Sequence, residues 1–377
     1  MVAMSGGVDS SVAAALSASA RGPEACVGVA MRLYSTAEDA VRIGRTCCAP
    51  DDLYDARRAA SALGIRFFVY DAQERFRDQV IDPFIAAYAQ GETPNPCVRC
   101  NDHVKFDWLL DRARRLGAAE LVTGHYARIG FENGRHRLLR ARDSSKDQSY
   151  FLHGLTQEEL ALVRFPLGDL SKTQVREIAR ERGLPNADKP ESMEVCFVGT
   201  EKLADFLEAH GVAKARGEIV DVEGRVLGEH AGVHRFTVGQ RKGLSVSRHD
   251  VGSSRRPEGE GRRHDVGSSR RPEGEGRRPL PLYVAALDAG RQRVVVGTRE
   301  QASRRAFSIA APSWVSEPPR AELRCEVQVR HRGKPLACTV AGGSVTLDEP
   351  AIGVAPGQSA VFYRGDEVLG GATISRA

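Results

Sequence analysis

The chain has 377 residues, of which 41% are hydrophobic and 27% are charged, as is typical of a soluble globular protein of two or three domains. Its apolar runs are too short to span a bilayer, and no charged segment followed by an apolar one opens the chain. We therefore expect a cytoplasmic protein without a membrane partner. The eight cysteines do not indicate a disulfide scaffold in a chain of this class.

The net charge of +5 is not evenly distributed. Residues 248–278 contain nine arginines and six acidic residues, and therefore carry +3 of that charge. Charge alone thus gives no argument for binding a nucleic acid.

The first motif is a glycine loop at residues 3–12, AMSGGVDSSV. A short apolar strand leads into Gly6 and Gly7, and Ser10 is predicted to cap the following helix. Helix N-termini bind anions, and glycines let a phosphate approach the backbone closely. Asp9 is placed to hold Mg²⁺ beside that phosphate. Neither Walker A nor G-x-G-x-x-G is present. Only Met1 to Met4 precede the Ser-Gly-Gly turn, which predicts a short first strand and a true start upstream of Met1.

Strands alternate with helices up to residue 182, which predicts an α/β fold with a parallel sheet covered on both faces. Ligands of such sheets bind at the carboxyl ends of the strands. The strands are predicted at 25–34, 66–70 and 121–124, and the helices at 51–63, 74–80, 82–90, 106–116 and 171–182. We expect Ser171 to cap the last of these helices.

From about residue 211 the pattern changes to short strands separated by turn residues. They are predicted at 217–221, 234–238, 282–287, 293–297, 325–331, 337–340, 344–347 and 359–364. We interpret them as a small central β domain and a six-stranded C-terminal barrel. The expected domains are 1–211, 212–304 and 305–377.

A perfect tandem repeat interrupts the central domain. The fifteen residues Arg248–Arg262 are repeated letter for letter at Arg263–Arg277. Because the repeat has no apolar face, it cannot build a core. We interpret residues 248–278 as a disordered, solvated insert, with a basic RNA-contacting arm as the alternative.

Three cysteines stand in sequences that suggest chemistry. Cys97 and Cys100 form a C-x-x-C in a proline-containing loop, where a redox pair, part of a zinc or iron–sulfur site, and two buried structural cysteines are all open readings. Cys196 ends a predicted strand between apolar neighbours and would alone be read as a core residue.

Seven motifs occur in one order along the chain: SGGVDSS, TPNPCVRCN-x-x-VKF, TGHYAR, KDQSYFLHGL, GEIVD-x-x-G, FTVGQRKGL and PGQSAVFY. The first resembles the pyrophosphate-binding loop of the PP-loop ATPases. Together the motifs resemble the tRNA-specific 2-thiouridylases, the MnmA family, over nearly the whole chain except residues 248–278. The resemblance implies a PP-loop domain of the adenine nucleotide alpha hydrolase type, a small central β domain and a C-terminal β-barrel that contacts tRNA.

The resemblance also implies an activity. An enzyme of this family uses ATP to adenylylate C2 of the wobble uridine of tRNA and replaces its oxygen with sulfur, giving 2-thiouridine. By resemblance, Cys196 accepts sulfur as a persulfide from a persulfide-carrying sulfur relay protein or a cysteine desulfurase. Cys100 then releases sulfide and forms a disulfide with Cys196.

Motif by motif, the resemblance assigns the site residues. The ATP site comprises Ala3, Met4, Ser5, Gly6, Gly7, Val8, Asp9, Ser10, Met31 and Gly124, with Asp9 as the candidate ligand of Mg²⁺. The target base is contacted by Asn95, Pro96 and Cys97. Further tRNA contacts are His125, Lys146, Asp147, Gln148, Arg330, His331 and Gln358. Taken singly, His125 could equally be a core histidine, and Lys146 or Arg330 an exposed surface residue. The remaining cysteines, Cys26, Cys47, Cys48, Cys325 and Cys338, are interpreted as structural.

Cys97 departs from the family, many members of which carry aspartate at this position. This departure opens a second sulfur route. Cys97, Cys100 and Cys196 would leave one iron of a [4Fe–4S] cluster without a protein ligand, and that iron could deliver sulfide. The persulfide route needs only Cys100 and Cys196.

Two other functions remain alternatives to tRNA thiolation. One is another adenylylating PP-loop enzyme, such as an amidotransferase or a tRNA lysidine synthetase, and the other is an RNA-binding protein with an inactive nucleotide site.

We predict that one copy of the repeat is dispensable, because it has no apolar face with which to stabilise the fold. Deleting Arg263–Arg277 should shift the melting temperature little and leave tRNA thiolation intact. A collapse of tRNA affinity at moderate salt in the deletion variant would instead identify the insert as an RNA-binding arm.

Overall fold

The computed structural model describes residues 1–34, 50–190, 195–198, 202–244, 246 and 280–376. The tandem repeat, Cys47 and Cys48 lie outside the described residues, as do residues 191–194 of the segment that leads to Cys196.

A five-stranded sheet organises the N-terminal part, and all of its neighbouring strands run parallel. Its strands are β1 (Val2–Ala3), β2 (Val27–Arg32), β3 (Arg66–Asp71), β4 (Leu121–Val122) and β7 (Val163–Arg164). The order β3-β2-β1-β4-β7 places β1 in the middle. The chain therefore leaves β1 towards one side of the sheet and returns on the other, and ligands bind at such a reversal. The parallel sheet is confirmed.

The helices of the described residues are α1 (Val8–Arg21), α2 (Pro50–Ala62), α3 (Gln73–Phe76), α4 (Asp82–Ala89), α5 (Pro96–Cys100), α6 (Leu110–Arg115), α7 (Gln157–Leu162), α8 (Lys172–Glu181) and α9 (Leu203–Ala209). Of these, α1, α2 and α7 pack directly on strands of the sheet. Two π-helical segments join neighbours without a break, Arg77–Ile81 between α3 and α4 and Asn101–Leu109 between α5 and α6. We call the continuous stretch Pro96–Arg115 the Cys100 helix. Among the described residues no helix is both long and apolar enough to cross a membrane.

Local signals explain two of the helix ends. Ser171 caps α8 as predicted, because its side chain accepts the N–H of Gln174 while the Gln174 side chain bonds back to Ser171. The helix predicted at 106–116 instead begins ten residues earlier, because Asn95 caps it and Pro96 occupies its first position.

A hairpin that the sequence analysis missed follows β4. It consists of β5 (Ala127–Glu132) and β6 (Arg135–Arg140), joined by Asn133 and Gly134. Both turn residues have positive φ, 52° and 75°, as a two-residue hairpin turn requires.

The central domain is a four-stranded sheet in the order β10-β11-β8-β9. Its strands are β8 (Gly217–Asp221), β9 (Val226–His230), β10 (Tyr283–Asp288) and β11 (Arg293–Gly297). β9 was missed, and the strand predicted at 234–238 is wrong. That region begins instead with a 3₁₀ turn, Val233–Arg235, in which His234 contacts the Glu208 carboxylate of α9 at 3.1 Å.

Six antiparallel strands form the C-terminal barrel, and pairing of the first with the last closes it, as predicted. They are β12 (Ser303–Trp314), β13 (Leu323–Gln328), β14 (Leu336–Ala341), β15 (Ser344–Ile352), β16 (Ser359–Arg364) and β17 (Glu367–Ile374). Cys325 and Cys338 lie directly opposite each other on β13 and β14, with their Sγ atoms 3.6 Å apart. Both are buried, in agreement with a structural role.

The barrel and the N-terminal part share one sheet and one core. β6 pairs with β17, so that the hairpin extends the barrel sheet. Leu138 of β6 is fully buried in an apolar cluster with Val361 and Val368 of the barrel and Leu121 of the parallel sheet. Glu367 receives ion pairs from Arg135 at 2.8 Å and Arg137 at 2.9 Å across the same junction.

His153 lies at this junction and predicts an acid-sensitive step in stability. Its Nδ1 contacts the Ser313 hydroxyl at 3.3 Å, and burial lowers its pKa from 6.5 to about 4. The unfolded chain therefore binds the proton more readily between these values, so stability falls as pH drops from 6.5 to 4. Over this pH range, we expect the free energy of unfolding of His153→Phe to fall by up to about 3 kcal/mol less than that of the wild type. Urea titrations at each pH measure this free energy. Parallel pH profiles of the two proteins would contradict this.

Candidate active site

The loop between β1 and α1 ends at a helix N-terminus that has no side-chain cap. Gly7 occupies the N-cap position. Ser10 lies inside the first turn, where its Oγ accepts the N–H of Ser5 at 3.1 Å and donates to the Gly7 carbonyl at 3.0 Å. The prediction that Ser10 caps α1 is wrong, because the helix begins at Val8. The N–H groups of the first turn consequently face no capping side chain and can bind an anion.

The two glycines of the loop have different reasons to be glycine. Gly6 has φ +78°, and a Cβ there would lie 2.1 Å from the Asp52 carbonyl oxygen of α2. A Cβ at Gly7 would meet only the Ser5 hydroxyl, at 3.7 Å. Gly6 is therefore required for the loop to pack on α2, whereas a side chain at Gly7 would enter the open space beside the uncapped N-terminus.

Most of the other predicted ATP-site residues surround the same loop. A Cβ at Gly124 would lie 2.7 Å from the Ser10 nitrogen, so that this glycine lets the chain after β4 back onto α1. Met4 and Val8 are buried and can offer a ligand only their backbone. Ala3 is the last residue of β1. Met31, near the end of β2, packs against the apolar cluster that contains Leu138 and against a second one that contains Leu33.

Asp9 takes part in an ion pair. Its carboxylate receives Lys172 Nζ at 2.7 and 2.8 Å and the Tyr126 hydroxyl at 2.8 Å. Lys172 is the first residue of α8, and the sequence analysis missed it. Asp9 lies in the first turn of α1, so this ion pair holds the Lys172 ammonium beside the uncapped helix N-terminus.

Two further residues missed from the sequence brace the loop from the segment after α8. Asn186 is buried and donates from Nδ2 to the Gly6 carbonyl and the Ser11 hydroxyl, both at 2.9 Å. Lys189 forms ion pairs with Asp52 and Asp55 of α2. Residues 186–189 are thus fastened to the glycine loop and to α2.

The C-x-x-C pair lies in the first turn of the Cys100 helix. Asn95 Oδ1 accepts the N–H groups of Cys97 at 3.2 Å and Val98 at 3.3 Å. The sequence predicts a loop around this pair, and that prediction is wrong from Pro96 onwards, where the helix begins. Residues three apart on a helix share a face, so Cys97 and Cys100 lie on one face of the Cys100 helix. Cys97 is exposed on that face, whereas Cys100 is buried.

Cys196 lies in a turn, so the strand predicted to end there is not present among residues 195–198. The Tyr34 hydroxyl donates to its carbonyl oxygen at 3.1 Å. Cys100 and Cys196 pack in one apolar cluster with Leu33, which follows β2, and Ala72, which follows β3. The two cysteines therefore lie at the carboxyl edge of the parallel sheet, the edge that also carries the glycine loop.

The residues present fit a nucleotide better than a metal. The uncapped N-terminus of α1 suits a phosphate. Among the described residues, no three His, Cys, Asp or Glu side chains lie close enough together to hold a metal ion. The described positions of Cys97, Cys100 and Cys196 thus do not form a cluster-binding set.

A basic groove of about 600 Å³ gathers several of the predicted tRNA contacts. Lys146 and His331 line it together with Arg140 and Arg332, which the resemblance did not assign. His331 Nε2 lies 3.3 Å from the Asp147 carbonyl, which joins the KDQ motif to the barrel. Arg330 is exposed beside the groove.

Other predicted tRNA contacts have their side chains engaged within the protein. Asp147 accepts from Arg140 and from the N–H groups of Ala141 and Ser149, and Gln148 Oε1 accepts the N–H of Tyr126 at 2.9 Å. His125 is buried, as the alternative reading for it supposed. Burial, aided by Lys105, holds its pKa well below 6.5. Because Lys105 lies 3.4 Å from Nε2, the neutral ring carries its proton on Nδ1, 2.7 Å from Thr123 Oγ1.

The glycine loop allows a matched pair of tests. We expect Gly7→Ala to fold with a nearly unchanged melting temperature but to bind ATP at least tenfold more weakly, because its methyl group crowds the anion site. We expect Gly6→Ala to lower the melting temperature, because its Cβ collides with Asp52. Calorimetry of folding and of ATP binding measures both effects. Wild-type ATP affinity in Gly7→Ala would exclude this loop as the nucleotide site.

Comparison with known proteins agrees with this architecture. Residues 1–200 match the family model described as tRNA methyl transferase HUP domain, residues 204–257 its PRC-barrel domain, and residues 304–374 the aminomethyltransferase beta-barrel domain. A tRNA-specific 2-thiouridylase MnmA from Acidothermus cellulolyticus is 46% identical, covering 100% of this chain and 97% of its own. Those from Geobacter metallireducens and Chloroflexus aurantiacus are each 44% identical, covering 100% of this chain and 96% and 98% of their own. The chain belongs to the MnmA family of tRNA-specific 2-thiouridylases.

Proposed function

We propose that this protein is an ATP-dependent tRNA sulfurtransferase that converts the wobble uridine to 2-thiouridine. The observation that carries the proposal is the common location of three groups. The uncapped N-terminus of α1, Cys100 and Cys196 all lie at the carboxyl edge of one parallel sheet. A nucleotide phosphate and a pair of thiols at one edge are what the activation of an oxygen and its replacement by sulfur require.

The first step activates the base. The uracil C2 oxygen attacks the α-phosphorus of ATP, pyrophosphate leaves, and C2 then carries an adenylate. The first-turn N–H groups of α1 and the Lys172 ammonium supply positive potential for the departing pyrophosphate. Asp9 and Tyr126 hold that ammonium beside the loop.

The second step transfers sulfur. The Cys100 thiolate attacks the inner sulfur of a persulfide on Cys196, which forms a Cys100–Cys196 disulfide and releases hydrosulfide. Hydrosulfide adds to C2, AMP leaves, and one proton is lost as the thiocarbonyl forms. A dithiol reductant returns two electrons to the disulfide. The persulfide comes from a relay protein or a cysteine desulfurase. The apolar cluster that surrounds both thiols limits the access of water to the sulfur in transit.

The substrate is proposed to lie across the groove formed by Lys146, Arg140, His331 and Arg332, which carries positive charge from both the N-terminal part and the barrel. Asn95, Pro96 and Cys97 begin the Cys100 helix. Cys97 is exposed and would face the target base, whereas Asn95 caps the helix and Pro96 is buried. The division of the chain near residues 211 and 304 remains part of this proposal.

The cysteines separate the sulfur routes. We expect Cys100→Ser and Cys196→Ser to abolish 2-thiouridine formation, measured by mass spectrometry of tRNA nucleosides after incubation with ATP and a persulfide donor. ATP–pyrophosphate exchange in the presence of tRNA should persist, because activation does not use the thiols. Cys26→Ser, at a buried cysteine away from the site, is the matched control.

Three outcomes would redirect the proposal. If iron-free protein is inactive, and iron and sulfide restore thiolation in the wild type but not in Cys97→Ala, the cluster route applies. If Cys100→Ser still completes the reaction on tRNA at the wild-type rate, and does not merely keep ATP–pyrophosphate exchange, an adenylylating enzyme that needs no paired cysteines is favoured. Absence of tRNA-dependent ATP–pyrophosphate exchange in the wild type would favour an RNA-binding protein with an inactive nucleotide site.

A further inference from the structure

A turn of the barrel grips the segment that leads into the Cys100 helix. The Thr93 N–H donates to the Pro356 carbonyl, and Gln358 Nε2 donates to the Thr93 carbonyl, each at 2.8 Å. Both hydrogen-bonding groups of one peptide residue are therefore satisfied by residues 356–358. We call this pair of hydrogen bonds the Thr93 clamp.

The turn that makes the clamp is itself rigid. The Gly357 N–H donates to the Ile374 carbonyl at 2.9 Å, and the Ile374 N–H donates to the Gln358 carbonyl at 2.8 Å. Gly357 has φ +87°, and a Cβ there would lie 3.1 Å from the Thr93 nitrogen. The Gln358 side chain thus reaches Thr93 from a backbone that is fixed to β17.

The clamp lies two residues before the cap of the Cys100 helix. Asn95 Oδ1 accepts the first N–H groups of that helix, those of Cys97 and Val98. The barrel residue Gln358 therefore fixes the segment immediately before this cap.

We propose that Gln358 is a positioning residue for the Cys100 helix, acting through Thr93 and Asn95. This inference rests on the proposed function and adds a role for a side chain that the family resemblance assigned to tRNA contact. The geometry gives the amide a partner inside the protein. Its loss leaves the Thr93 carbonyl without its donor and loosens the segment that sets where Asn95, Cys97 and Cys100 stand.

The two roles predict opposite kinetic effects. A tRNA contact contributes binding, so its removal raises KM and Kd for tRNA and spares kcat. A positioning residue acts on the geometry of the reacting groups, where a displacement of about 1 Å can cost about a hundredfold in rate. For Gln358→Leu we expect kcat to fall at least tenfold, with KM and Kd for tRNA changed by less than about twofold.

A second measurement reports on the clamp without relying on activity. Hydrogen exchange of a peptide covering residues 93–100 should be faster in Gln358→Leu, because the caps on the Cys97 and Val98 N–H groups open more often. Gln358→Glu keeps the side-chain length but cannot donate to a carbonyl, so it should behave like Gln358→Leu even if the apolar variant folds poorly.

Gln157→Leu is the matched control. The Gln157 amide also ties the barrel to the N-terminal part, since it donates to the Val315 carbonyl at 2.6 Å and to the His136 carbonyl at 2.8 Å. We expect this variant to melt at a lower temperature but to keep the exchange of residues 93–100 and kcat well below that temperature. A loss of kcat in Gln157→Leu equal to that in Gln358→Leu would mean that general loosening of the barrel, and not the clamp, is responsible.

Three results would overturn the proposal. They are a raised KM and Kd with unchanged kcat in both Gln358 variants, unchanged hydrogen exchange of residues 93–100, and full recovery of activity at high tRNA concentration. If the wild type itself forms no 2-thiouridine, the proposed function fails, while the exchange experiment still decides whether Gln358 orders the start of the Cys100 helix.

Discussion

The close approach of Gly6 to the Asp52 carbonyl is the constraint on which the candidate site depends. It holds the glycine loop against α2, and both the loop and α2 bind residues that follow α8. Lys189 binds two carboxylates of α2, Asn186 binds the loop itself, and both precede Cys196 in the chain. Residues 186–189 are therefore anchored on the glycine loop and on α2. No side chain larger than hydrogen at Gly6 is compatible with this arrangement.

The barrel is tied to the N-terminal part by a shared core, a shared sheet and hydrogen bonds. Leu138 and Val368 share a core, β6 and β17 share a sheet, and the Thr93 clamp reaches the start of the Cys100 helix. A polyanion bound in the groove between Lys146 and His331 would lie against both parts at once. The distance between the groove and the thiols is then set jointly by the pairing of β6 with β17, by the shared core and by the Thr93 clamp.

The sequence allowed the parallel sheet, the barrel and the loop to be predicted, because alternating strands and helices and a run of glycines are local signals. The missed hairpin also had a local signal, since Asn133-Gly134 between two strands is a strong hairpin turn. The start of the Cys100 helix could likewise be read from Asn95-Pro96, a cap followed by a first-turn proline. Pairing of β6 with β17 had no such signal, because it joins residues more than 200 positions apart.

Some residues of the candidate site could likewise be predicted from local sequence, and others could not. Motif order located the glycine loop and Cys100, but it could not tell which side chains of a motif point outward. Asp147, Gln148 and Gln358 were read as tRNA contacts, yet each bonds to neighbouring backbone in the folded chain. Lys172, Asn186 and Lys189 were missed because their partners lie more than 130 residues away, and only the tertiary structure brings them to the loop.

The shared sheet between β6 and β17 also limits how the protein can be divided. A chain cut just before β12 would keep the hairpin but lose the strand that covers its edge. The backbone N–H and C=O groups of β6 that pair with Glu367 and Val368 would then face water, next to an uncovered Leu138. Exposed strand edges with apolar neighbours recruit other chains and aggregate. The N-terminal part is therefore a poor candidate for recombinant production alone, even though its parallel sheet is complete without the barrel.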